Sequence, residues 1–134
     1  MNTTNSPKPV ILCVDDDATI LQSLRILLRN KLGDTYFCEI AESPDEAREI
    51  LADLDSENVP VVAVISDWLM PEMKGEEFLI EIHKDYPHIV KFLLTGQADQ
   101  EAIERAQKYA NLHDFFPKPW NEQELIEALK LAIN

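Results

Sequence analysis

Val61-Val62-Ala63-Val64-Ile65-Ser66-Asp67-Trp68-Leu69-Met70-Pro71-Glu72-Met73-Lys74-Gly75 is the stretch around which the chain is organised. Its apolar run is too short for a typical helix and rich in β-branched residues, the pattern of a strand buried on both faces of a parallel sheet. The run stops at a carboxylate, Asp67. Pro71 and Gly75 then break regular structure, which predicts Asp67 where a central strand opens into a connection. In open α/β sheets ligands bind at that edge.

Working outward, Val10 to Val14 is a first apolar strand that also ends in acid, Asp15-Asp16-Asp17. The spacing of Ile20, Leu24, Leu27 and Leu28 predicts a helix with one apolar face, ending near Gly33. Tyr36 to Ala41 reads as a shorter strand. Ser43-Pro44-Asp45-Glu46 combines an N-cap serine, a proline at the first helical position and a glutamate three residues after the cap, and opens a helix to about Asp53. Beyond the central stretch, a helix from about Glu76 to Asp85 turns Phe78, Leu79 and Ile82 inward and ends before Pro87. Val90 to Leu94 is an apolar strand running into Thr95-Gly96. The helix expected over Ala98 to Ala110 has a thin inner face of Ala102, Ile103, Ala106, Tyr109 and Ala110, and such weak burial predicts mobility. Phe115-Phe116, closed by Pro117-Lys118-Pro119, reads as an edge strand. Asn121 to Glu124 caps a last helix with Leu125, Leu129, Ala132 and Ile133 inward. Five alternations of strand and helix imply right-handed βαβ crossovers and a parallel sheet covered on both faces.

The 134 residues suffice for one domain with a real core, expected over residues 8–134 behind a flexible tail at 1–7. Hydrophobic content of 46% and charged content of 28% suit a soluble globular protein, and no apolar run approaches membrane-spanning length. MNTTNSPKP lacks the features of a secretory signal. A formal net charge of -13, from 12 basic and 25 acidic residues, argues against a nucleic-acid backbone as ligand, so any DNA-directed output would need another polypeptide. Cys13 and Cys38 lie in apolar strand-like runs and read as small buried hydrophobes in a reducing cytoplasm rather than as a disulfide.

A parallel sheet brings the carboxyl ends of its strands to one edge: Asp15, Asp16 and Asp17, then Asp67, Thr95 and Lys118. Carboxylates gathered there repel by roughly 4 kcal/mol per pair at about 4 Å and an effective dielectric near 20. Lys118 supplies one compensating charge, and Mg²⁺, a hard ion that takes oxygen ligands, supplies the rest. Each feature alone has an ordinary explanation: acids favour a helix start, a threonine after a strand is a turn residue, and a lysine before proline is solvated. Four strand ends that converge with a carboxylate nucleophile, metal ligands, a hydroxyl and a cation are a set suited to phosphoryl transfer.

In that combination the chain resembles the receiver domain of two-component response regulators, from about Lys8 to Asn134. The motifs are Val14-Asp15-Asp16, Asp67-Trp68-Leu69-Met70-Pro71 with Gly75, Leu94-Thr95-Gly96 and Phe115-Phe116-Pro117-Lys118-Pro119. The resemblance implies a flavodoxin-like doubly wound sheet of five parallel strands in the order 2-1-3-4-5, with five helices. It implies that Asp67 accepts a phosphoryl group from a histidine kinase or phosphotransfer protein, and that Asp15, Asp16, Asp67 and the backbone carbonyl of Leu69 hold Mg²⁺. Lys118 and Thr95 would contact the phosphoryl oxygens. A shift of Thr95 toward them would leave space for the ring of Phe115, which stands where many relatives carry tyrosine, and would bias the fourth helix. Leu69, which cannot orient water, and Gln97, which can, are expected to set the lifetime of the phosphorylated state. Trp68 is expected to report on ligands at the acceptor, with Trp120 as a second source of fluorescence, and the Lys118-Pro119 bond is expected to be cis.

The face made by the fourth helix, fifth strand and fifth helix is the expected surface for an effector or a second copy of the chain. The chain is expected to be either a free-standing receiver or part of a longer regulator; tryptophan after Lys-Pro hints at relatives joined to cyclic-dinucleotide enzymes. Such a phosphoacceptor is not a turnover enzyme on an external substrate. Two alternatives stand beside it. Val14-Asp15-Asp16-Asp17-Ala18-Thr19 also fits the apolar-Asp-x-Asp-x-Thr motif of haloacid-dehalogenase-type phosphatases, with Asp15 as nucleophile and Asp17 as general acid, but this gives Asp67 no role. A pseudo-receiver would bind partners without phosphorylation.

Overall fold

The computed structural model describes residues 7–97 and 99–133. Among these, strands and helices alternate as β1 (Val10–Val14), α1 (Ala18–Leu32), β2 (Phe37–Ala41), α2 (Pro44–Ser56), β3 (Val61–Asp67), α3 (Gly75–Asp85), β4 (Val90–Thr95), α4 (Gln100–Tyr109), β5 (Asp114–Pro117) and α5 (Glu122–Ile133). The strands form one sheet in the order β2-β1-β3-β4-β5. Every pairing is parallel, so all the strands end at one edge, with Val14 beside Ser66, Asp67 beside Leu94 and Thr95 beside Pro117. Most of the expected tail, Ala98 at the expected start of the fourth helix, and Asn134 lie outside the described residues.

Alternation along the central strands divides the core in two. Leu12, Val14, Val64 and Leu93 face Ala47 and Leu51 of α2, Phe78 and Ile82 of α3 and Ala106 of α4. Ile11, Cys13, Ile65 and Leu94 face Leu24 and Leu28 of α1 and Leu125 and Leu129 of α5. Full burial of side chains such as Phe78, Leu24 and Leu129 stabilises by about 1.5–3 kcal/mol each. This packing fixes the helices to both faces and leaves the carboxyl edge of the sheet open.

Local capping explains where the helices start. Asp17 accepts the Thr19 N–H at 2.8 Å, Asp99 the Ala102 N–H at 2.8 Å, and Asn121 the Glu124 N–H at 2.9 Å. Ser43 accepts the Glu46 N–H at 3.1 Å while Glu46 reaches back to the Glu42 N–H at 2.6 Å, one residue beyond the usual reciprocal partner.

Four details depart from the sequence-based expectation. α2 continues to Ser56, past Asp53, because no glycine or proline interrupts it; the chain leaves the helix at Asn58, whose φ of 60° is left-handed. Leu21 rather than Ile20 is buried on the inner face of α1. Tyr109 is 48% exposed instead of inward, with Arg105 and Lys108 against its ring. Ala132 and Ile133 are half-buried because the last turn of α5 lies at the rim of the core. Pro117 sits on the edge strand, as a residue without an N–H requires, and the Lys118-Pro119 bond is cis.

Candidate functional site at the carboxyl edge of the sheet

Three carboxylates and one ammonium meet where β1, β3 and β5 end. Asp15 and Asp67 are buried, and one oxygen from each of Asp15, Asp16 and Asp67 falls within a cluster no wider than 4.8 Å. Lys118 bridges two of them, its Nζ lying 2.9 Å from Asp15 Oδ2 and 2.8 Å from Asp67 Oδ1. The other Asp15 oxygen accepts the Asp17 N–H at 2.8 Å. Asp16 is exposed, on the open side of the cluster. The Lys118 N–H donates to the Thr95 carbonyl at 2.9 Å, which ties the lysine-bearing turn to the end of β4.

The electrostatics follow from this geometry. Burial pushes the Asp15 carboxyl above the usual carboxylate range; hydrogen bonds from Lys118 and the Asp17 amide oppose it, and the charge of Asp67 adds to it. Burial also works against the Lys118 charge, but hydrogen bonds to Asp67 and Asp15 outweigh it and raise the ammonium above its ordinary range. One cation thus holds two buried carboxylates, and an excess of negative charge remains. The all-oxygen donor set of Asp15, Asp16 and Asp67 fits a hard divalent cation such as Mg²⁺.

Asp15, Asp16, Asp67, Leu69, Gln97 and Lys118 line one crevice of about 530 Å³ at this edge. The Leu69 side chain is 61% exposed, and Gln97 is exposed. Thr95 ends β4 and is buried, and its hydroxyl makes no hydrogen bond to another described residue. Phe115 is 39% exposed on β5, opposite Leu93 and two positions before the partner of Thr95. The loop after Asp67 is closed by a bond from the Gly75 N–H to the Trp68 carbonyl at 2.6 Å. Gly75 is there because a Cβ would overlap the Asp67 carbonyl oxygen and come within 2.9 Å of Trp68 Cα.

Three features were not anticipated from sequence. Lys74 stands 5.3 Å from the Trp68 ring centroid, a cation over the residue next to Asp67. Arg105 of α4 bonds Glu77 of α3 at 2.6 Å, a tether on the helix with the thin apolar face. Lys91, in the middle of an apolar strand, is fully buried; its Nζ lies 2.7 Å from the Ile89 carbonyl, 3.2 Å from the Tyr86 carbonyl and 2.9 Å from His83 Nδ1. A lysine inside VKFLLT was the available signal for this last contact.

A doubly wound sheet of order 2-1-3-4-5 with an acidic cluster and a lysine at its carboxyl edge defines a phosphoacceptor module. The family model for the response regulator receiver domain matches residues 11–130, and the chain belongs to that family. The chemotaxis protein CheY of Pseudomonas aeruginosa is 30% identical over 122 residues, covering 90% of this chain and 92% of that protein. The hydrogenase transcriptional regulatory protein HoxA of Cupriavidus necator is 31% identical over 128 residues, 96% of this chain but 25% of the relative, so this chain spans about a quarter of that protein's length. Among solved structures, the signal receiver domain of an HD domain-containing protein from Pseudomonas fluorescens Pf-5 superposes with a TM-score of 0.83 at 35% identity, covering 94% of each chain.

The chain is accordingly a phosphoacceptor domain of two-component signalling, and its acidic cluster is of the kind with which receiver domains bind Mg²⁺. The phosphatase alternative is not favoured: Asp17, its required general acid, is engaged as the N-cap of α1, and both Asp15 oxygens already accept hydrogen bonds. The pseudo-receiver alternative is likewise not favoured, because each chemical group of the family motif is present. No helix among the described residues is long and apolar enough to cross a membrane.

Proposed function

We propose that Asp67 is the phosphoacceptor, taking its phosphoryl group from a histidine kinase or a phosphotransfer protein. The observation that carries this is the placement of its carboxylate at the end of the central strand, 2.8 Å from the Lys118 ammonium and clustered with Asp15 and Asp16. A carboxylate oxygen of Asp67 attacks phosphorus, the bond from phosphorus to the donor nitrogen breaks, and an acyl phosphate forms. The product brings a charge of about -2 into a crevice already rich in carboxylates. Lys118, held by Asp15, is positioned to pair with the new phosphoryl oxygens. Asp15, Asp16, Asp67 and the Leu69 carbonyl would hold Mg²⁺, which supplies charge neutralisation and orients the donor.

The Thr95 hydroxyl is free to bond a phosphoryl oxygen. Movement of Thr95 toward Asp67 vacates space beside β5, and the Phe115 ring, now partly exposed, turns into it and changes the face of α4, β5 and α5. That face is the proposed docking surface for an effector or a second copy of the chain. Leu69 and Gln97, at the mouth of the crevice, are proposed to set how long the acyl phosphate survives. In this role residues 8–134 act as one cytoplasmic receiver unit that turns over no external substrate and touches neither nucleic acid nor membrane.

Incubation with acetyl phosphate and Mg²⁺, followed by intact-mass measurement and borohydride trapping, tests the assignment. One phosphoryl group on Asp67, with none on Asp67→Asn and none in chelator, is expected; Mg²⁺ should also change Trp68 fluorescence. Label at Asp15 or Asp17 that survives Asp67→Asn would overturn it.

A further inference from the structure

A second pocket, sharing no residue with the phosphoacceptor crevice, lies between α1 and the edge strand β2. It encloses about 320 Å³, and its lining includes Arg25, Arg29, Tyr36, Cys38 and one exposed carboxylate, Glu39. Two features set it apart. The chain has four arginines and a net charge of -13; Arg48 and Arg105 are ion-paired with Glu81 and Glu77, whereas Arg25 and Arg29 form no ion pair among the described residues. They stand one helical turn apart on α1, so both guanidinium groups serve the same side of the pocket. Across the pocket from them, on β2, is Cys38, half-buried, with the sulfur of the fully buried Cys13 at 3.9 Å.

The two thiols are not equivalent. Cys13 is sealed within the core. Its contact with Cys38 and its burial raise its thiol well above the ordinary range, so it keeps its proton in the 3.9 Å hydrogen bond between the two sulfurs, in which either thiol can donate. That bond lowers the Cys38 thiol below its ordinary range; burial pushes the other way, as does Glu39, while the charges of Arg25 and Arg29 add to the lowering. A half-buried thiol that lines a pocket, with the Cys13 sulfur behind it and two guanidinium groups set against the single carboxylate of Glu39, has the surroundings of a reactive cysteine rather than of a packing residue.

We propose that Cys38 is a modification site for small anionic disulfides of the glutathione class, with Arg25 and Arg29 receiving their carboxylates. The Cys38 thiolate, its proton released to solvent, attacks one sulfur of the disulfide. A new S–S bond to Cys38 forms, the original S–S bond breaks, and the second half leaves as a thiolate; Cys38 is oxidised and the departing thiol is reduced. Cys13 remains a thiol throughout. The unpaired arginines decide the class: a disulfide bearing carboxylates gains two guanidinium partners, and one bearing amines meets two like charges.

The test compares glutathione disulfide with cationic cystamine on the intact protein at neutral pH, with mass spectrometry and peptide mapping. One adduct on Cys38 is expected, formed faster with the anionic reagent despite the protein's overall negative charge. Arg25→Gln with Arg29→Gln lowers the thiolate fraction for both reagents alike, and should slow the anionic reagent about tenfold more than cystamine, the low end of what local charge does to association rates. The wild-type comparison of the two reagents stands without any variant. Equal rates or faster reaction with cystamine, an adduct on Cys13, a Cys13 to Cys38 disulfide without adduct, or no adduct on the folded protein would each overturn the proposal.

Discussion

Gly75→Ala places one methyl group where the loop after the acceptor strand passes under its own backbone. The added Cβ would overlap the Asp67 carbonyl oxygen and lie 2.9 Å from Trp68 Cα and 3.0 Å from the Asp67 carbonyl carbon. All three are backbone atoms of Asp67 and Trp68, at the end of the acceptor strand and the start of its loop, so no side chain can rotate away. Overpacking of this kind costs typically 1–3 kcal/mol, and the absence of a flexible neighbour puts this site at the upper end. Restricting the unfolded chain returns about 0.4–1 kcal/mol, which leaves a net loss of about 2 kcal/mol. Urea unfolding measures this directly, with a fall in Tm of several degrees as the thermal counterpart. Gly96→Ala is the internal control: no atom lies within 4 Å of its would-be Cβ and its φ is not left-handed, so a change under about 0.5 kcal/mol is expected. The strain in Gly75→Ala relaxes by moving the Asp67 backbone, and misplacement by about 1 Å can slow a positioned reaction on the order of 10²-fold. Phosphorylation by acetyl phosphate should therefore slow as well. If Gly75→Ala matched Gly96→Ala in both stability and labelling rate, the idea that Gly75 sets the position of Asp67 would fail.

Two other consequences concern groups away from the acceptor and at its mouth. Burial pushes Lys91 down to about 8 in the folded protein, below its unfolded value, so between these pH values the unfolded chain binds more protons and stability contributed by this group rises with pH. Wild type should gain about 2 kcal/mol on Lys91→Met between about pH 7.5 and 9.5 in urea unfolding, and a difference independent of pH would show that the buried ammonium is fully compensated by its carbonyl and His83 acceptors. At the crevice mouth, Leu69→Asn should speed loss of the acyl phosphate by adding a group that orients water, and Gln97→Ala should slow it, each by about tenfold or less; decay rates of the phosphorylated protein that are unchanged in both variants would remove these residues from the lifetime.

The candidate site was legible from sequence wherever chemistry sits at the end of a strongly patterned element. Asp15, Asp67 and Thr95 each follow an apolar strand, and parallel topology alone sends such ends to one edge. Lys118 was legible for the same reason, though not that it bonds both Asp15 and Asp67 at once. Tyr109 was misplaced because a spacing of three from Ala106 put it on the inner face, whereas Arg105 and Lys108 hold its ring at the surface. Lys91 passed unnoticed because one lysine in an apolar run does not say whether its ammonium reaches water or turns to the loop carbonyls of Tyr86 and Ile89.

By itself the sequence determined the order of strands and helices, their caps and the edge at which function resides, because apolar period, N-caps and breakers act over a dozen residues or fewer. Only the tertiary structure decided which charged groups meet. Lys118 and Asp15 are 103 residues apart, and Cys13 and Cys38 are 25 apart. Such contacts depend on strand register and crossover packing, which bring distant side chains to ångström-scale separations that no local pattern encodes.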